Sequence, residues 1–148
     1  MYKHILIATD GSELADKGVE QGFALAGPLG AKVTVLTVSE PLSARALKTA
    51  FYAGVRDPVS RYDQSIEQEM HERFAPIEQR AKEQGVEILL EHEVDDHPAQ
   101  AIVRVANLQG CDLIVMSSHG RRGAQRLILG SQTAEVLAHT TIPVLVIR

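Results

Sequence analysis

The sequence contains few cysteine and aromatic residues. Cys111 is its one cysteine, tryptophan is absent, and aromatic side chains make up 4% of the 148 residues. A single cysteine excludes an intrachain disulfide and any metal site built from several thiolates. No apolar run approaches the roughly 18 residues that span a bilayer, so we expect no membrane insertion. The chain enters an apolar strand at once, without a signal peptide's longer apolar region, which predicts a cytoplasmic protein.

The chain also lacks an excess of positive charge. Its 15 Lys and Arg against 19 Asp and Glu give a formal net charge of -4. Because nucleic acids and anionic membranes favour a basic protein surface, we expect neither as the main partner. Three enzyme motifs are missing as well: the Gly-x-Ser-x-Gly elbow of hydrolases, the P-loop Gly-Lys-Ser, and a dinucleotide-binding Gly-x-Gly-x-x-Gly after the first strand.

The residues that are present have the balance of a globular protein, with 45% hydrophobic and 23% charged. We expect residues 1–148 to form one domain, because a chain of this length buries enough surface to need neither a disulfide nor a metal. Short apolar runs predict strands at 5–8, 33–38, 86–93, 112–116 and 142–147.

Helical patterns lie between these strands. We expect the first helix to begin at a Ser12 cap and to stop at Gly27-Pro28. A long charged helix starts on Ser60 and Asp63 as a capping box and is kinked by Pro76. Residues 42–55 have weak helical character, which is typical of a surface insertion or lid. Alternating strands and helices predict an α/β fold: an open five-stranded parallel sheet with helices on both faces.

The most informative segment is residues 117–131, between an apolar strand and the last helix. Gly120, Gly123 and Gly130 permit positive φ and let a ligand approach the main chain closely. Ser131 opens a helix whose first N–H groups and dipole favour an anion. Phosphate fits this combination. A turn followed by a helix cap explains the same spacing equally well, so the pattern alone leaves both interpretations open.

Asp10 ends the first strand. In open α/β sheets, ligands bind beyond the carboxyl ends of strands where the strand order reverses. If the first and fourth strands are neighbours there, Asp10 and the loop at 117–131 face one crevice. Asp10 would then bind a nucleoside hydroxyl or amine while the loop holds phosphates.

These residues resemble the universal stress protein family, and the resemblance covers the whole chain. It includes the opening strand and turn, the helix start at Pro98 and the closing strand. The strongest similarity is Ser118-His119-Gly120-x9-Gly130-Ser131, beside the Gly-x2-Gly-x9-Gly-Ser/Thr pattern of ATP-binding members. On this chain the pattern falls at 117, 120, 130 and 131, with Ser117 in place of its first glycine.

The resemblance implies the strand order 3-2-1-4-5, a Rossmann-like fold of the adenine nucleotide alpha hydrolase type. It implies ATP, with Mg²⁺ on its phosphates, and a base near Ala8, Asp10 and Val38. It also implies stress-linked regulation through a protein partner, at most slow hydrolysis, and a homodimer paired through residues 142–147, from Ile142 to Ile147. The candidate nucleotide-binding residues are Ala8, Thr9, Asp10, Val38, Met116, Ser117, His119, Gly120, Arg122, Gly123, Gly130, Ser131 and Gln132.

The alternative function is a nucleotide-free dimeric interaction module of the same fold, in which Ser117 and Asp96 mark a lapsed pocket. Other candidate residues have ordinary explanations. His119 is a phosphate donor or a loop histidine bonded to backbone. One of Arg121, Arg122 and Arg126 could clamp a phosphate. Asp95 and Asp96 resemble a metal pair but are typical helix caps. His92 and His97 are too few for zinc, and Cys111 is typical of a small core residue.

Overall fold

The computed structural model describes residues 1–121 and 128–148. Within them, helices and strands follow one another in strict alternation except for one pair of consecutive helices. Their bounds are β1 (His4–Ala8), α1 (Glu13–Leu29), β2 (Lys32–Ser39), α2 (Ala44–Tyr52), α3 (Pro58–Gln84), β3 (Ile88–Val94), α4 (Pro98–Leu108), β4 (Leu113–Ser117), α5 (Ser131–His139) and β5 (Val144–Ile147).

The strands form one sheet in the order β3-β2-β1-β4-β5, and every neighbouring pair is parallel. The predicted fold and strand order are therefore confirmed. β1 lies at the centre, where Ile7 is opposite Val35 of β2 on one side and Val115 of β4 on the other. Strands covered on both faces need apolar side chains at every position, which explains the continuous Ile5-Leu6-Ile7 run.

Each face of the sheet has its own core, and successive residues of a strand alternate between them. Ile5 and Ile7 of β1 pack with Phe23 of α1 and Ile77 of α3 on one face. Leu6 packs with residues of α4 and α5 on the other face, including Ile102 and Val136. The sheet is thus held between two helical layers, and its two ends remain open to loops.

The start of α1 is as predicted, but its predicted end is wrong. Ser12 caps the helix by accepting a hydrogen bond from the Ala15 N–H. The helix continues through Pro28 and ends at Gly30, whose φ of 60° suits a left-handed cap. Pro28 removes one backbone donor in the last turn, and the packing of Leu25 and Leu29 against the core offsets that loss.

The predicted start of α3 at Ser60 is wrong, because the N-cap lies three residues earlier and the helix begins at Pro58. Asp57 is the N-cap, its side chain accepts from the Ser60 N–H, and Pro58 occupies the first helical turn, where its missing donor is harmless. The helix has 27 residues and continues through Pro76. At 1.5 Å per residue it is about 40 Å long, roughly twice the length of a typical strand. It therefore extends past the sheet.

The two edge strands are displaced or shortened relative to the prediction. β3 covers Ile88–Val94 and β5 covers Val144–Ile147. Pro143 cannot donate a ladder hydrogen bond, although its carbonyl accepts one from Ile114. The weak segment at 42–55 contains α2, which has no buried residue. Among the described helices, none is long and apolar enough to cross a membrane.

Three connections from a helix to the next strand, at the amino edge of the sheet, each contain a glycine in the left-handed conformation. Gly30, Gly85 and Gly110 each adopt a positive φ between 60° and 67°. All three are exposed, and a Cβ added to any of them would meet no atom within 4 Å. This edge is closed by simple turns, whereas longer loops lie at the opposite, carboxyl edge.

Candidate functional site

The turn after β1 and the loop after β4 meet at the carboxyl edge of the sheet. β1 and β4 are hydrogen-bonded neighbours, as the shared crevice required. Asp10 joins the two segments, because one carboxylate oxygen accepts from the Arg121 N–H at 2.8 Å and the other accepts from the Ser12 N–H at 2.9 Å. A Cβ on Gly120 would lie 3.0 Å from the same carboxylate, so glycine allows this close approach.

A cleft of about 540 Å³ opens beside this junction, within the size range of small-molecule sites. A smaller slot of about 110 Å³ extends from it toward the sheet, and its walls are mostly apolar. Asp10, Val38, Gly120 and Gln132 line both spaces. Ala8, Thr9, Met116 and Ser117 line the slot, and Gly130 and Ser131 line the cleft.

The N-terminus of α5 points its backbone donors toward the cleft. Its N-cap is Gly130, and within the described residues no side chain caps the helix. The N–H groups of Ser131, Gln132 and Thr133 precede the first intrahelical bond, which the Ala134 N–H makes to Gly130. All three residues line the cleft. Helix-start amides without a partner among the described residues, together with the positive end of the helix dipole, are typical of a site that favours an anion.

The Gly130 amide bonds within the loop and does not face the cleft. Its N–H donates to the Ser118 carbonyl at 2.7 Å. A Cβ on Gly130 would approach the same carbonyl oxygen to 2.8 Å, too close for any other residue. Thr133 braces the same loop, since its hydroxyl donates to the Ser117 carbonyl at 2.8 Å. Gly130 thus seats the loop on the helix and leaves Ser131 to Thr133 facing the ligand space.

Ser117 and His119 turn toward the loop itself. The Ser117 hydroxyl donates to the His119 carbonyl at 2.8 Å. His119 Nδ1 lies 2.9 Å from the Ser118 hydroxyl. Among the described residues, the cleft wall includes Gly120 and Arg121 but not His119. Arg122 and Gly123, the two remaining candidates, lie outside the described residues.

The sequence interpretation missed one wall of the cleft. Tyr62, Ile66, Glu69 and Arg73 on α3 line it, on the part of the helix that reaches toward the carboxyl edge. The Arg73 guanidinium lies 2.5 Å from Glu69, and Arg121 lies 3.4 Å from the same oxygen. Burial, followed by the nearby Arg121 charge, lowers the pKa of Arg73. The 4-3-4 spacing on one helix face was the available signal, but it also fits a solvated charged helix.

The acidic pair before α4 forms a turn instead of a metal site. Asp95 accepts from the His97 N–H at 2.8 Å and from Arg104 at 3.0 Å, and these two bonds lower its pKa. His92 pairs with the Ser39 hydroxyl at 2.9 Å. Across residues 1–121 and 128–148, no group of three His, Cys, Asp or Glu side chains could hold a metal ion.

Comparison with known proteins gives concordant results. The sequence profile described as "Universal stress protein family" matches residues 1–148. Universal stress protein MJ0531 of Methanocaldococcus jannaschii is 30% identical over 148 residues, which are 100% of this chain and 83% of that one.

Solved structures show the same fold. Hypothetical protein MJ0577 superposes with a TM-score of 0.81 at 26% identity, covering 99% of this chain and 96% of that one. In sequence, universal stress protein MJ0577 of M. jannaschii is 29% identical over 158 residues, covering 100% of this chain and 96% of that one. A universal stress protein in complex with cAMP superposes with a TM-score of 0.69 at 24% identity, covering 99% and 97%.

Proposed function

Because the chain belongs to the universal stress protein family, we propose that it binds an adenine nucleotide, specifically ATP, in the cleft at the carboxyl edge of β1 and β4. The observation that carries the proposal is the uncapped start of α5, where three consecutive amides face the cleft beside an apolar slot. A flat apolar base and an anionic chain are the two halves of a nucleotide, and a universal stress protein has been solved with cAMP.

In this proposal the adenine ring occupies the slot between Ala8, Val38 and Met116. The ribose lies near Asp10 and Gly120, which line both the slot and the cleft. The phosphates lie against the α5 amides from Ser131 onward, and Mg²⁺ accompanies them as a counterion. We assign no catalytic residue, because both Asp10 oxygens already accept backbone N–H bonds and His119 is turned into its own loop.

The proposed role is regulatory: nucleotide occupancy changes a surface that a protein partner reads in a stress response. Two surfaces suit this role. One is α2, whose Phe51 and Tyr52 are exposed and stack edge to face. The other is the edge strand β5, which pairs with β4 on one side and carries a 39% exposed Leu145. An apolar strand edge is stabilised by pairing, so we propose that two copies form a homodimer through β5.

The first test is native mass spectrometry of freshly purified protein, which reports stoichiometry and co-purified nucleotide together. We expect a dimer with one nucleotide per chain. In a thermal melt, Mg-ATP at 100 times its dissociation constant should add about 2.7 kcal/mol of stability. An unchanged melting temperature in millimolar Mg-ATP would contradict the proposal.

A proline substitution tests the amides themselves. Ser131→Pro removes the first donor of α5 at a position where proline is favoured, and the preceding Gly130 already has the extended conformation proline requires, with φ −61° and ψ 150°. We expect affinity for ATP to fall by roughly tenfold or more, since a hydrogen bond to a charged group contributes about 1.5–3 kcal/mol.

Ala44→Pro is the matched control. It occupies the same first position of α2, after Ser43 with φ −67° and ψ 150°. None of the residues of α2 lines the described cleft. Its ATP affinity should equal that of the unmodified protein. Equal affinity of both variants would show that the α5 amide does not contact the ligand.

The engaged Gly130 amide favours a second candidate function, the nucleotide-free interaction module. One donor of the glycine motif is already satisfied by Ser118, so the motif here also has a purely structural use. In that case the protein purifies as a dimer without nucleotide. Ser131→Pro would then leave both its dimerisation and its partner binding unchanged.

A further inference from the structure

One corner of the cleft holds two arginines that share a single carboxylate oxygen. Arg73 comes from α3 and Arg121 from the loop after β4, and both line the cleft. Glu69 Oε1 lies 2.5 Å from Arg73 Nη2 and 3.4 Å from Arg121 Nη2. Two guanidiniums offer up to ten N–H donors, roughly, so one carboxylate leaves most of them for another anion.

Arg73 and Glu69 differ in how far their side chains are exposed. The Arg73 side chain is 9% exposed, whereas the Glu69 side chain is 42% exposed. Arg73 packs over the turn after β1: a Cβ on Gly11 would lie 2.6 Å from its Nε. Gly11 also has a φ of 76°, so glycine is required there and the arginine occupies the space a side chain would take. An incoming anion would therefore move Glu69 and find Arg73 in place.

The cluster lies along the path that a nucleotide's phosphates would follow. The α5 amides and the two arginines belong to one cleft, and Asp10 contacts the Arg121 backbone between them. Burial, followed by the Arg121 charge, lowers the pKa of Arg73, and the negative charges of Glu69 and Asp10 oppose that shift. Phosphate oxygens bind a guanidinium in two parallel hydrogen bonds, which an exposed glutamate in this geometry does not supply.

We propose that Arg73 and Arg121 bind the terminal phosphates of a nucleoside di- or triphosphate, and that Glu69 occupies this site until those phosphates displace it. The proposal rests on nucleotide binding as proposed above and adds its specificity. The α5 amides hold the phosphate nearest the ribose, which every adenine nucleotide has. The arginine pair adds affinity for ADP and ATP alone, and Glu69 sets how much of that affinity is realised.

The test is isothermal titration of AMP, ADP and ATP with Mg²⁺ into the full chain and its variants. Arg73→Gln should weaken ATP binding by about tenfold or more, because it removes a charged hydrogen bond, and should leave AMP binding unchanged. Glu69→Gln should strengthen ATP binding by about two- to fivefold, the size of one partly exposed ion pair, again with AMP unchanged. Arg121→Gln, at a 56% exposed side chain, gives the same direction as Arg73→Gln without burial concerns.

Glu72→Gln is the matched control, because Glu72 lies on α3 beside the cluster and pairs with Gln68. Its three affinities should match the unmodified protein. If no nucleotide binds the unmodified protein, both proposals are wrong. Equal affinity for AMP and ATP, or weaker ATP binding by Glu69→Gln, would refute the arginine site and leave nucleotide binding intact.

Discussion

α1 and α5 begin at the same edge of the sheet, the first after a short turn and the second after a longer loop, and their first turns are completed differently. Ser12 caps α1 with its own hydroxyl, which accepts from the Ala15 N–H. α5 begins at Gly130, which has no side chain to offer. A helix start that satisfies its own donors has little left for a ligand. Of these two helix starts, the one without a side-chain cap lines the proposed site.

The open start of α5 has a stability cost, which the surrounding loop offsets. Glycine in place of a capping side chain costs only about a few tenths of a kcal/mol. The Gly130 N–H donates to the Ser118 carbonyl. The Thr133 hydroxyl donates to the Ser117 carbonyl. These bonds hold the backbone of the loop against the helix without using the three amides that face the cleft.

Gly130→Val should have the largest effect, because its side chain would disrupt the contact between the start of α5 and the loop after β4. Its Cβ would lie 2.8 Å from the Ser118 carbonyl oxygen. Overpacking of this kind costs about 1–3 kcal/mol, and we expect the upper end in urea unfolding together with loss of nucleotide binding. Gly27→Val is the control, since a Cβ there meets nothing within 4 Å. Normal ATP affinity in Gly130→Val would mean that nucleotide binding does not depend on the contact between Gly130 and Ser118.

Thr133→Val should have an intermediate effect, because it keeps the shape of the side chain and removes the bond to Ser117. Thr133 is buried, so the carbonyl loses a partner that water cannot easily replace. We expect a loss of about 1–2 kcal/mol in urea unfolding. Thr49→Val removes a similar bond to Arg45 on exposed α2 and should cost less. Equal losses would contradict the bracing role of Thr133.

Ser12→Ala should destabilise the protein by about 1 kcal/mol through loss of its cap, without changing nucleotide affinity. Ser43 caps α2 in the same way, through the Ala46 N–H. Because α2 has no buried residue, Ser43→Ala should lower global stability less than Ser12→Ala. Urea unfolding and ATP titration measure both outcomes. A fall in ATP affinity in Ser12→Ala would show that both helix starts serve the ligand.

The effect that is smallest at neutral pH concerns β4, the strand that precedes the loop leading to α5. Cys111 precedes β4, and burial, then the neighbouring Asp112, raises the pKa of its thiol to about 11. The folded state therefore favours the protonated thiol. Its contribution is fully present below about pH 8.5, the usual thiol pKa, and is lost as pH rises toward 11. Cys111→Ala should remove this part of the alkaline destabilisation. Urea unfolding across this pH range measures the effect, and an unchanged pH dependence in Cys111→Ala would show that other groups cause the destabilisation.

Local signals predicted what local forces determine. Ser12 stands before an apolar-periodic segment, and it caps α1 as a serine there should. Apolar runs predicted the strands because buried parallel strands require them. The predicted end of α1 is wrong because Pro28 resembles a helix boundary, whereas packing of Leu29 against the core extends the helix. The predicted start of α3 is wrong because Ser60 resembles a cap, whereas Asp57 is the cap.

The site was predictable only in part, because its walls come from distant segments. The family pattern led to Gly120, Gly130 and Ser131, which line the cleft. Nothing local to Arg73 indicates that it meets Gly11 and Arg121, which are far from it along the chain. That contact depends on α3 being long enough to pass the sheet, a property of the assembled fold.

The glycine turns at the amino edge give this molecule convenient attachment points. Gly30, Gly85 and Gly110 are exposed, a Cβ on any of them would meet no atom within 4 Å, and the length of the strands separates them from the cleft. Exposed turns of small residues tolerate insertions and new chain ends. A reporter domain inserted at Gly110, or a circular permutation opened there, should therefore leave the residues that line the cleft untouched.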